Sequence, residues 1–205
     1  MESQEYLDQI SAKPVVEKNG GGLGGILKSK YTWIIVGGIV LFILFAIIGT
    51  ILSSTKGDVK GDAINLQVRL DSTAEVISEY QPKVKSSALR SSSASLSTVI
   101  ANTNNKLTSY LSEKYEYKKG SDKKLVEQMK TEQDGLMNEL YEAKITGVLD
   151  RTYAHKMAFE ISKILAEEAM LRKESRDDNL NSIIDESYGS LENLYEDFNN
   201  FSEGS

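Results

Sequence analysis

Two hydrophobic patterns divide the chain. From Tyr31 to Leu52 (YTWIIVGGIVLFILFAIIGTIL) no position carries a charge. A helix of that length rises about 33 Å, enough to cross a hydrocarbon core of roughly 30 Å. Beyond it, apolar residues return every three or four positions, the period of helices with one buried face. Leu66, Leu70, Thr73, Ile77 and Tyr80 form a first stripe. Leu89, Ser93, Leu96, Ile100, Thr103, Leu107 and Tyr110 form a second, in a segment rich in Ser, Thr and Ala that suits close helix packing. Leu125, Met129, Leu136 and Leu140 form a third, and Tyr153, Met157, Ile161, Ile164 and Leu171 a fourth. The last runs through Leu180, Ile184, Ser187, Leu191, Leu194, Phe198 and Phe201. No segment after the span alternates as a strand would.

Breaks separate the stripes. Asp62, Asp122 and Asp150 are expected helix caps. Pro82 ends the first helix or opens the next. Glu113–Asp122 reads as a loop around Gly120, and Thr146-Gly147 as a stop. Five striped helices with breaks at these intervals predict an all-α fold, an antiparallel four- or five-helix bundle after a single transmembrane helix. A continuous parallel coiled coil has no reason for such breaks.

The expected layout is a flexible tail over residues 1–30, the span over 31–52, a linker over 53–62, the bundle over 63–201 and a disordered end over 202–205. Gly20–Gly25 satisfies a G-x-G-x-x-G pattern, but it runs straight into the span rather than following a strand, so it is not a dinucleotide loop. Lys28 and Lys30 flank the start of the span, and Tyr31 and Trp33 suit the headgroup zone, so these four are the expected membrane-interface residues. Within about 15 residues of the span, lysines number three before it (Lys18, Lys28, Lys30) and two after (Lys56, Lys60). That bias points to a signal anchor with the N-terminus cytoplasmic and the bundle extracytoplasmic in the cell membrane. A cleavable signal peptide would have a shorter apolar core and a small-residue cleavage site after it. Gly37, Gly38, Ala46 and Gly49 give the span small faces, without a G-x-x-x-G repeat.

Composition narrows the chemistry. Cysteine is absent and His155 is the only histidine among 205 residues, which excludes disulfides and thiolate metal sites and leaves little for imidazole catalysis. The tail has four basic and four acidic residues, so the net charge of −6 lies in the part after the span, 20 basic against 26 acidic. This argues against nucleic acid as a partner. No nucleophile elbow, Walker loop, H-E-x-x-H or EF-hand pattern occurs. A di-iron bundle needs inward Glu-x-x-His pairs, but Thr152 stands where the Glu before His155 belongs. Glu167-Glu168 and Asp185-Glu186 offer carboxylates to a hard cation, but solvated helix faces explain them without a site. Asn200-Phe201-Ser202 is a glycosylation sequon.

Charge is distributed unevenly. Asp177–Ser205 contains eight acids and no base, while Lys118, Lys119, Lys123, Lys124 and Lys130 cluster upstream. Mutual support between neighbouring helices is one reading. The other is a partner-docking face on the last helix, comprising Asp185, Glu186, Glu192, Glu196 and Asp197.

Lys83-Val84-Lys85 leading into Leu89, the turn Gly147-Val148-Leu149-Asp150-Arg151-Thr152-Tyr153 with Met157, and the last helix Leu180–Leu194 have a familiar order. From Ala63 to Phe201 the chain resembles a bacterial extracytoplasmic ferritin-like four-helix domain family of unknown function. The resemblance implies a fold and an envelope location, not a reaction. That family often has a His in the long helix where this chain has Ile161, which weakens a metal-binding inference. The functional expectation is a non-enzymatic interaction or scaffold module of the cell envelope, with no cofactor, whose partners are the lipid bilayer and an envelope protein. The alternatives are a ferritin-like module binding metal through Glu167, Glu168 and Asp185, and a sensor acting through the span on a cytoplasmic partner.

Overall fold

The computed structural model describes residues 58–201. The expected span and the interface residues Lys28, Lys30, Tyr31 and Trp33 lie outside them. Among the described residues no helix is long and apolar enough to cross a membrane. These residues form five helices and no strand: α1 (Val59–Tyr80), α2 (Ser87–Tyr115), α3 (Lys123–Ile145), α4 (Leu149–Glu174) and α5 (Asp178–Asn199).

Helix α1 begins earlier than the pattern predicts, so residues 59–62 of the expected linker are helical. Asp58, not Asp62, is the cap: its carboxylate accepts the Gly61 N–H at 3.0 Å. A Cβ at Gly61 would lie 2.5 Å from the Asp58 carboxylate, so a larger residue there would have to push the capping side chain aside. Pro82 sits in a 3-10 turn, Gln81–Lys83, after α1. Helix α2 is capped by Ser86 and runs to Tyr115, into the segment expected as loop; Glu116 closes it at φ 52°. Asp122 caps α3 as expected, and Gly147 stops it with φ 81°, a conformation that favours glycine. Asp177 caps α5.

Asp150 does not cap α4. The cap position is Val148, which makes no side-chain bond, and Asp150 lies in the first turn. Its carboxylate instead accepts the backbone N–H groups of Lys85 at 2.9 Å and Ser86 at 2.7 Å. The start of α4 thus holds the start of α2.

Helices α1, α2, α5 and α4 pack in that cyclic order, each on the next. Side-chain pairs fix antiparallel directions around the ring: Gln67–Asn104 for α1/α2, Lys106–Glu186 for α2/α5, Arg172–Asp185 for α5/α4 and Arg69–Glu167 for α4/α1. Helix α3 lies outside the ring against α1 and α4. It is antiparallel to α4 and runs parallel to α1, where Gln133 reaches Glu75 and the Tyr80 hydroxyl donates to the Met137 carbonyl.

All seven residues of the second stripe are buried, as are all five of the first and all five of the fourth. Each buried Leu or Ile contributes roughly 1.5–3 kcal/mol relative to exposure. The α3 stripe is weaker. Met129 and Leu140 are buried, but Leu125 and Leu136 only pack against the edge of the core. A helix on the rim of a completed ring has less surface to cover. Phe201, at the end of the last stripe, is partly buried beyond α5.

Candidate functional site

The acidic partner face divides in two. Asp185, Glu192 and Glu196, with Asp178, are spaced seven, seven and four apart, so helical geometry aligns them on one exposed ridge of α5. Glu186 and Asp197 turn toward α2, where Glu186 pairs with Lys106 at 2.6 Å and Asp197 accepts from the Ser92 hydroxyl at 3.1 Å. On the ridge, Asp185 binds Arg172 at 2.7 Å and Glu196 accepts from the Asn200 amide. Asp177, at the start of α5, pairs with Lys114, and that hydrogen bond holds its carboxyl below the usual range.

The expected mutual support between α5 and the lysines of Lys118–Lys130 is not seen. The α5 acids pair with α2 and α4, while Lys119 pairs with Asp71 of α1 at 2.6 Å. The reason is topological: α3 packs on α1 and α4, and α5 on α2 and α4.

Glu167, Glu168 and Asp185 do not converge. Asp185 is on the surface. Glu167 lies in the α1/α4 seam, where Arg69 Nε donates to it at 2.6 Å. Arg69 also lies 3.7 Å from Glu132 and 4.0 Å from Glu160, and Lys163 lies 2.8 Å from Glu160 and 3.8 Å from Glu132. This five-residue network ties α3 to the ring. Burial raises the Glu167 carboxyl above its ordinary value, against the pull of Arg69.

Glu168 overturns the expectation of a solvated pair. It is fully buried, and neither carboxyl oxygen has a hydrogen-bond partner. Burial pushes its carboxyl up to about 8. Ser187 pulls the other way from α5, although its hydroxyl does not reach hydrogen-bond geometry. The fourth stripe carried the signal: it skips from Ile164 to Leu171, and the helical period places residue 168 in that gap.

A second polar group lies between α1 and α2. The Gln67 amide donates to Asp71 at 2.6 Å and to Asn104 at 3.2 Å. Asn104 donates to Asp71 at 2.5 Å, and Lys119 closes the group from the loop. Asp62, freed from the expected capping role, faces Glu174 at the other end of the α1/α4 seam. Burial first, and then the Glu174 charge, raise its carboxyl.

His155 is exposed, as its place off the apolar stripe predicts, and Ile161 is fully buried. Among the described residues no three His, Asp or Glu side chains are grouped to hold a metal ion. The sequence pattern did not single out the exposed apolar side chains around the α3–α4 turn: Tyr141, Ile145 and Val148.

No protein-family profile, curated protein or solved structure matches this chain.

Proposed function

We propose that the protein is a membrane-anchored interaction module. The span Tyr31–Leu52 crosses the bilayer with the N-terminus cytoplasmic, and the bundle stands on the extracytoplasmic side and binds a basic protein partner of the cell envelope. The observation that carries the docking role is the exposed ridge Asp178, Asp185, Glu192 and Glu196 on a helix without a basic residue. A ridge of one sign steers a partner of opposite sign and sets its register. The uncharged stretch ending at Leu52, close to the Asp58 cap, supports a short tether. The ring of four helices with antiparallel neighbours suits ferritin-like kinship.

The role is non-enzymatic, because binding through a surface ridge needs no reacting group. The carboxylate-metal alternative loses its motive, since its three residues lie in a seam, in the core and on the surface. Capture from envelope extracts tests the docking role. The full-length chain should retain a basic protein at low salt and release it as salt rises. The triple variant Asp185→Lys, Glu192→Lys, Glu196→Lys should retain none of it. Equal capture by both chains, or none by either, would overturn the proposal.

A further inference from the structure

We propose that Glu168 is a proton-operated latch of the bundle: protonated, it lets α4 and α5 close, and ionised, it loosens that seam. The side chain is fully buried, and both oxygens lack a partner. Ser187 stands opposite on α5, its hydroxyl equally unpartnered. A protonated carboxyl has an O–H to donate and needs only a neutral neighbour such as this hydroxyl. A buried carboxylate needs a cation or several donors, and without them its burial is strongly unfavourable.

No ion pair among the described residues includes Glu168, and the charges around it are committed elsewhere. On α1, Arg69 holds Glu167 and Asp71 takes Lys119. On α5, Asp185 takes Arg172 and Glu186 takes Lys106. On α3, Glu132 lies by Arg69 and Lys163. On α4 itself, Lys163 holds Glu160. Glu174 and Asp62 are further acids that bring no cation. The neighbouring Glu167 charge also opposes ionisation, in accord with the raised carboxyl.

Ser187 also borders a cleft of about 60 Å³ between α2 and α5, lined by Thr103, Lys106, Ile183 and Glu186 among others. That is room for a few water molecules. The residue opposite Glu168 on α5 thus also borders this cleft.

Hydrogen exchange of the full-length chain tests the latch. After correction for intrinsic rates, amides in Ile161–Leu171 and Ile183–Leu191 should lose protection about tenfold or more between about pH 6 and pH 9. Glu168→Gln, which stays neutral, should abolish that loss. Identical profiles in the two chains would overturn the proposal. Carbon-13 NMR of the wild-type carboxyl gives a second reading independent of any variant's folding. Its midpoint is expected above about 7, and a midpoint below about 6 would equally overturn the latch.

Discussion

Asp150 and Ser86 are 64 positions apart, and the Asp150 carboxylate accepts the Ser86 backbone N–H at 2.7 Å. The same carboxylate accepts from Lys85, so one side chain satisfies two donors at the start of α2 from the first turn of α4. It also lies where the α4 dipole favours negative charge. Asp150→Ala removes the acceptor from both donors and should cost roughly 1–3 kcal/mol, read from denaturant unfolding with an unchanged m-value. A loss much below that range would mean that water replaces the carboxylate.

Arg69 and Glu167 form a largely buried pair, and burial of Glu167 outweighs the pull of its partner. Removing the cation alone leaves a buried acid. Arg69→Met should therefore cost roughly 3–5 kcal/mol at neutral pH, and less in acid, where Glu167 takes up a proton. The double variant Arg69→Met, Glu167→Met should recover most of the loss. A double-mutant cycle on unfolding free energies measures this coupling.

Glu168 gives the bundle a definite pH dependence. Its carboxyl titrates at about 8 in the fold against 4.5 ordinarily, so the folded state holds its proton where the unfolded chain has released it. This contribution is full below about pH 4.5, declines as pH rises, and is gone by about pH 8. The shift corresponds to roughly 5 kcal/mol. Subtracting the pH–stability curve of Glu168→Gln from that of the wild type isolates the term. The difference should favour the variant increasingly across this window, and a flat difference would exclude it.

Helix α3 should open before the ring does. Only Met129, Leu140 and Ala143 are buried on it, whereas α1, α2, α4 and α5 each bury seven or more side chains. Native-state hydrogen exchange should show α3 amides less protected than those of α4 and α5. Leu140→Ala, truncating the fully buried anchor of α3, should widen that gap.

The stripes were legible because a 3.6-residue period survives substitution by small polar residues. Ser93 and Ser187 hold core positions on spacing alone, and both are buried. The polar core was not legible. Glu167-Glu168 reads as one solvated pair, yet adjacent helix positions face about 100° apart, which puts one in a seam and the other in the core. Caps were legible only where the acid bonds its own helix. Asp122 does so, whereas Asp150 serves α2, through a contact that no local spacing encodes. The α5 acids were visible as a cluster, but their division into a ridge and an α2-facing pair depends on which helices flank α5.

The most direct test concerns the anchor and the side on which the bundle stands. The chain has no cysteine, so Glu192→Cys places a single thiol on the exposed ridge. Intact cells would be treated with a membrane-impermeant maleimide, and their membranes then extracted with alkaline carbonate. The thiol should label without permeabilisation, and the chain should stay in the membrane pellet. Labelling only after lysis, or release of the chain by carbonate, would contradict this placement.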